Sequence, residues 1–234
     1  MDEFGAGLLR AGQLVLSLDG ELIEITARSL FVTLTALAIG CAIAMPLGAW
    51  LAIRRFRFRR AVIAVMNALI GLPPVVVGLA VYLMLSRGGP LGVLGLLYTP
   101  WAMILAQVVV ITPLVASIAH QAMRDLWAEY HDLLISLNAT RAQRVAVLLW
   151  DGRRALLTAA LAGFGRAIGE VGAVMIVGGN IDGATRVLTT AIALETGRGD
   201  FAVALGLGVV LIALSLGVSG ASHWALRTER RGRW

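Results

Sequence analysis

Five long apolar stretches separated by short polar segments dominate the chain, at residues 30–53, 61–85, 101–119, 155–177 and 201–222. Each is close to or above the ~20 residues that an α-helix, rising ~1.5 Å per residue, needs to cross a bilayer. The pattern predicts an all-α polytopic membrane protein with about five transmembrane helices. The second stretch contains Gly71-Leu72-Pro73-Pro74. Paired prolines remove two amide donors, so a kink or break is expected there, with protein packed around it to satisfy the freed carbonyls. Pro113 falls near the middle of the third stretch, and a short helix is expected through Leu188 to Glu195 in the loop before the last. Residues 1–26 are mixed, with Leu8, Leu9, Leu14, Val15, Leu16 and Leu18 among acids. They are expected to form an interfacial helix, and they lack the basic n-region and cleavage site of a signal peptide.

The longest polar interruption, residues 123–154, has its own period. Leu126, Tyr130, Leu133, Leu134 and Leu137 recur at helical spacing, while Asp125, Glu129, Asp132 and Ser136 fall on the other face. Asn138 then stands where a left-handed residue ends a helix. Ala139 follows it, and Thr140 with Gln143 makes a T-x-x-Q capping box for a second helix carrying Val145, Leu148 and Leu149. The unit is a helix, a tight turn and a helix at one face of the membrane. Two readings stay open for it, an ordinary helical surface loop or a docking element.

Composition agrees with the pattern: 59% of residues are hydrophobic, 15% are charged, and the mean hydropathy is +0.84. The chain divides into residues 1–26, a transmembrane domain over 27–222, and a basic tail over 223–234. The single cysteine, Cys41, rules out an intrachain disulfide. The net charge of +6 comes from arginine alone, for the sequence has no lysine. A phosphate-binding loop of the G-x-x-x-x-G-K-[ST] type needs its lysine, so any ATP that drives this chain is held by a partner. No H-E-x-x-H or G-x-S-x-G is present and His120, His131 and His223 are scattered, so neither a catalytic nor a metal site is expected. Trp50, Tyr98, Trp101 and Trp224 lie near stretch ends as interfacial anchors.

Arginine also sets the expected orientation. The block Arg54-Arg55-Phe56-Arg57-Phe58-Arg59-Arg60 abuts an apolar stretch, which reads as a membrane anchor and not a nucleic-acid site. That block, the segment 123–154 and the tail are rich in arginine, whereas the alternate loops are sparse or balanced. The N-terminus is therefore expected outside and the C-terminus inside, with residues 123–154 cytoplasmic.

Residues 163–180 read GFGRAIGEVGAVMIVGGN, an apolar, glycine-studded segment with Arg166 and Glu170 four positions apart. As one helix it would place both on one face, where each alone would cost about 2.5–3.5 kcal/mol at mid-membrane. Such groups mark a pathway by default, and a buried pair that locks packing is the alternative. Gly165, Gly169 and Ala173, beside Ala159, Gly163 and Ala167, form small-x-x-x-small ladders that suit close helix approach.

The combination of G-L-P-P-V-V-V-G-L at 71–79, the helix-turn-helix, and G-F-G-R-A-I-G-E-V-G-A-V-M-I-V-G-G-N-I followed by T-R-V-L-T-T-A-I-A-L-E-T resembles the permease subunits of ABC importers for oxyanions. The resemblance is strongest to tungstate permeases, with molybdate and sulfate permeases next. It covers about residues 26–222. It implies a homodimer in the cell membrane, surrounded by lipid. An extracytoplasmic solute-binding protein would deliver the anion, and two cytoplasmic ABC ATPase subunits would hold ATP and Mg, with no cofactor on this chain. It also implies an E-A-A-x-x-x-G docking motif, onto which Asp132, Leu133, Leu134 and Asn138 fall at the E, A, A and G positions. Glu129, Ala139 and Thr140 complete the ATPase-coupling set, and Trp150-Asp151 stands where a hydrophobic-proline ending is usual. Arg166, Gly169, Glu170 and Asn180 form the candidate translocation pathway. A secondary transporter or channel, for which internal repeats are expected and not found, and a membrane assembly subunit are the readings from other classes.

Overall fold

The computed structural model describes residues 12, 20–54 and 56–231, with side chains up to residue 221. Among these residues the secondary structure is helical: α1 (Gly20–Ile53), α2 (Arg59–Ile70), α3 (Pro74–Leu85), a single 3-10 turn (Gly92–Leu94), α4 (Pro100–Ser136), α5 (Arg141–Asp151), α6 (Arg153–Ile168), α7 (Gly172–Gly178), α8 (Leu188–Arg198) and α9 (Phe201–Arg231). Helices α1, α4 and the stretch 201–221 of α9 are each long and apolar enough to cross a membrane. Counting the broken pairs α2/α3 and α6/α7 as one span each brings the number to five.

The boundaries differ from the sequence expectation at the first, third and fourth stretches, and the break expected at the paired prolines of the second is present. The first span begins at Gly20 because nothing interrupts the helix before residue 30. The expected interfacial helix over residues 1–26 otherwise lies outside the described residues. The second stretch breaks outright after Ile70, and α3 restarts with Pro73 as N-cap and Pro74 in its first turn, where a missing N–H costs nothing. The third span and the amphipathic helix are one 37-residue helix, since residues 120–125 contain no breaker. The fourth stretch is not a single helix. It ends at Ile168 and resumes at Gly172. The short helix expected through Leu188 to Glu195 is present and runs on to Arg198, ending at Gly199 with φ 81°.

The chain packs as two compact units. One comprises residues 36–72 and 108–166. Its core joins Ala44 and Leu51 of α1, Met66 of α2, Val115 and Ala116 of α4 and Ala159 of α6, and continues through Ala49, Ala119, Met123, Leu148 and Leu156. The small residues let backbones approach: a Cβ at Gly48 would lie 2.8 Å from the His120 backbone nitrogen, and one at Gly163 would lie 2.7 Å from Val115 Cγ2. The Ala159/Gly163 ladder is thus a packing seam. The Gly165/Gly169/Ala173 ladder is not a helix face, because Gly169 lies in the break and a Cβ added at Gly165 would meet nothing within 4 Å among the described residues.

The other unit comprises residues 1–35, 73–107 and 167–234 as far as they are described. Helix α3 lies directly on α7, and α8 packs on α9 through Leu188, Ala191 and Leu207 with Ile25 of α1. Arg28 on α1 clasps the loop before α8, donating to the carbonyls of Arg186 (3.1 Å) and Gly183 (2.9 Å) and pairing with Glu24. Arg186 in turn pairs with Glu21 and Asp182.

Candidate functional site

The residues singled out by the sequence gather at two places, one in each unit. In the first, the turn between α4 and α5 is built as its residues dictate. Asn138 takes φ 51°, a left-handed geometry that most side chains resist. The Thr140 side chain accepts from the Gln143 amide at 3.4 Å, and the Gln143 side chain accepts from the Thr140 amide at 2.7 Å, closing the capping box. Arg144 Nε donates to the Ala139 carbonyl at 2.8 Å and ties the turn to α5. Thr140→Ala is expected to destabilise this element by about 1 kcal/mol, read as earlier proteolysis between α4 and α5 with the remaining helices intact.

Of the coupling candidates, Glu129, Asp132, Leu133, Asn138 and Thr140 are exposed, Ala139 is half-buried and Leu134 is buried. Asp132 is beside His131 Nδ1 at 2.8 Å. Leu133 and Leu134 line a groove of about 540 Å³ with Tyr130, Ala146, Val147, Trp150 and Asp151. Tyr130 donates its hydroxyl to Asp151 Oδ2 at 2.5 Å across the two helices. Leu133 is 57% exposed, Leu137 67% and Trp150 74%, so large apolar side chains stand open on this element. Trp150 and Val147 were not among the sequence candidates. The apolar set Val145, Leu148 and Leu149 marks the inward side of α5, and the 147/150 spacing on the opposite side was the available signal.

In the second unit the break at residues 169–171 is held by side chains from remote elements. Glu170 is buried, and its Oε1 accepts from the Ala173 amide at 3.1 Å, capping the start of α7. Thr189 Oγ1 donates to the Glu170 carbonyl at 2.9 Å, and Gln107 Nε2 donates to the Ala167 carbonyl at 3.0 Å. Ser29 Oγ accepts the Leu188 amide at 2.8 Å. Backbone groups freed by the break are therefore satisfied inside protein, the condition under which irregular backbone is tolerated at membrane depth. Beside them a cavity of about 10 Å³, lined in part by Ser29, Thr33, Gln107 and Thr189, has the size and polarity to hold one water, and Gln107 Oε1 is buried with no hydrogen-bond partner among the described residues.

The pathway candidates are thus placed differently from one another. Arg166 is half-buried in the last turn of α6, where a cation complements the helix dipole. Glu170 lies in the break, so the expectation that it shares a helix face with Arg166 is corrected: the helix ends between them, at Ile168. Gly169 is exposed. Asn180 follows Gly179 (φ 71°) with φ 50° of its own, in the turn that closes α7, where Thr185 Oγ1 donates to the Gly178 carbonyl at 2.6 Å. The threonines that brace this unit, Thr185, Thr189 and Thr190, are buried and were missed, because a hydroxyl in an apolar run looks like a tolerated core residue.

Comparison with known proteins points one way. Residues 44–227 match the family described as binding-protein-dependent transport system inner membrane component. The chain is similar to the tungstate uptake system permease protein TupB of Peptoclostridium acidaminophilum, 39% identical over 223 residues, covering 95% of this chain and 98% of that protein. It is similar to a probable anion ABC transporter permease protein of Haloferax volcanii, 40% identical over 219 residues, covering 91% and 94%. It is also similar to the sulfate transport system permease protein CysT of Salmonella typhimurium, 30% identical over 176 residues, covering 72% and 64%.

Proposed function

Because this chain belongs to the family of binding-protein-dependent transport system inner membrane components, we propose that it is the permease of an ATP-driven importer that carries tungstate across the cell membrane by alternating access. The observation that carries the coupling half of this reading is the exposed apolar groove beside the Asn138 turn. A helix-turn-helix held rigid by a capping box, with apolar side chains outward, can transmit a push from a soluble partner. That partner is a cytoplasmic ATPase dimer, which supplies the ATP and Mg that this lysine-free chain does not hold. The orientation follows the arginine distribution, with the N-terminus outside and the groove in the cytoplasm. Two copies of the chain form the translocation pathway, receiving the anion from an extracytoplasmic binding protein. Tungstate is preferred to sulfate by the length and identity of the match to TupB, which exceed those of the match to CysT.

Asp132 is fully exposed, so reversing its charge should spare the fold. Asp132→Arg is expected to cut ATP-dependent tungstate uptake by about tenfold or more while ATP hydrolysis by the complex continues, since a like-charge juxtaposition at a docking surface costs several kcal/mol. Uptake and hydrolysis that stay coupled in this variant would remove Asp132 from the interface. The reading as a whole is tested by uptake into proteoliposomes holding the complex, with molybdate and sulfate as competitors. Uptake that proceeds without ATP or without a co-purifying ATPase would replace it with secondary transport.

A further inference from the structure

A different face of the helix-turn-helix carries a feature separate from the groove. Helix α5 presents Ala146, Val147 and Trp150 to the apolar groove, whereas Arg141, Arg144 and Val145 project on the other side. There they meet the end of α1 and enclose a pocket of about 340 Å³ lined by Trp50, Ile53, Arg54, Arg141, Arg144 and Val145. Its charged lining is entirely cationic. Arg54 lies over the Trp50 ring at 5.2 Å, and Arg144 lies 5.9 Å from the Trp127 ring while its Nε holds the Ala139 carbonyl. Among the described residues no carboxylate pairs with Arg54, Arg141 or Arg144, although other arginines of the chain do find acids.

Three arginines lining one pocket with no carboxylate partner among the described residues make its potential positive, and the N-terminal end of α5 adds to it. Such an arrangement is stabilised by an anion that several planar forks can grip together. The rest of the lining, Trp50, Ile53 and Val145, is apolar, so the ligand it suits has an anionic head and an apolar or neutral body. We propose that this pocket binds a phosphate group that brings an organic body with it. Its position at the end of the first apolar span, with Trp50 37% exposed at an interfacial level, suits the headgroup of an anionic phospholipid. A soluble phosphate compound offers the same group, and the experiment separates the two sources.

The full-length chain is purified and placed in phosphatidylcholine nanodiscs doped with phosphatidylglycerol, and the lipid that stays bound after transfer to detergent is identified by native mass spectrometry. Arg54→Gln with Arg141→Gln removes two pocket charges and leaves Arg144, which the turn needs. Arg57→Gln with Arg60→Gln removes the same net charge outside the pocket and serves as control. Retention of phosphatidylglycerol is expected to fall by about tenfold in the pocket variant and by less than about twofold in the control. Retention that resists excess inorganic phosphate assigns the pocket to the lipid headgroup. Displacement by inorganic phosphate, with direct binding of that ion measured by equilibrium dialysis and lost in the pocket variant, assigns it to a soluble phosphate. Equal losses in the two variants, or no anion binding of either kind, would overturn the proposal. The result does not depend on transport, so it stands or falls separately from the tungstate reading.

Discussion

Glu170→Gln is expected to lower ATP-dependent tungstate uptake by more than about tenfold, because a hydrogen bond to a charged group contributes about 1.5–3 kcal/mol and the substitution removes only the charge. The amide oxygen of glutamine can still accept the Ala173 N–H that Glu170 Oε1 accepts at 3.1 Å, so α7 keeps its cap. The ATPase should co-purify as before. Glu170→Ala makes the complementary measurement. It removes the cap as well, at about 1 kcal/mol, and leaves a buried amide without a partner, which costs a further 1–3 kcal/mol or so. A pathway role predicts that both variants fail in uptake and only the alanine variant melts early. A packing role predicts normal uptake for glutamine, and that result would end the assignment of Glu170 to the pathway.

The second large effect is structural. A methyl group at Gly78 would lie 2.6 Å from Ala173 Cα and 3.1 Å from the Ala173 carbonyl oxygen, both backbone atoms that cannot rotate away. Gly78→Ala must therefore push α3 off α7, at about 1–3 kcal/mol, and should reduce the thermal midpoint and the yield of membrane-inserted protein. Gly208→Ala in α9 is the matched control, since a Cβ there meets nothing within 4 Å among the described residues. In a helix interior that change should stabilise by about 0.5–1 kcal/mol through backbone entropy. Opposite signs for the same chemical change would establish the α3–α7 contact. Equal behaviour of the two variants would contradict it.

Membership of the family, the all-helical class and the helix-turn-helix were legible in the chain because each rests on neighbours within a few positions. The T-x-x-Q box needs only Thr140 and Gln143, and the left-handed turn needs only Asn138. The paired prolines at 73 and 74 announced their own break. The groove was half legible: Leu133 and Leu134 carried a signal through the family motif, whereas Trp150 looked like a departure from it and proves to be the most exposed of the groove's large apolar side chains. The arginine block at 54–60 suggested attachment to the membrane surface, and among its described residues Arg54 lines the pocket that Arg141 and Arg144 complete.

The sequence by itself determined where apolar helices form, where prolines stop them and how the turn at 137–140 is capped, since backbone hydrogen bonding and side-chain period act over one or two turns of helix. Only the tertiary structure decided that residues 163–180 are not one helix. The break there depends on Gln107, 60 positions before Ala167, and on Thr189, 19 positions after Glu170, which satisfy the carbonyls that a continuous helix would have used. No local pattern contains those partners, because the cost of an unpaired backbone group in an apolar setting is met by whatever side chain the fold brings near.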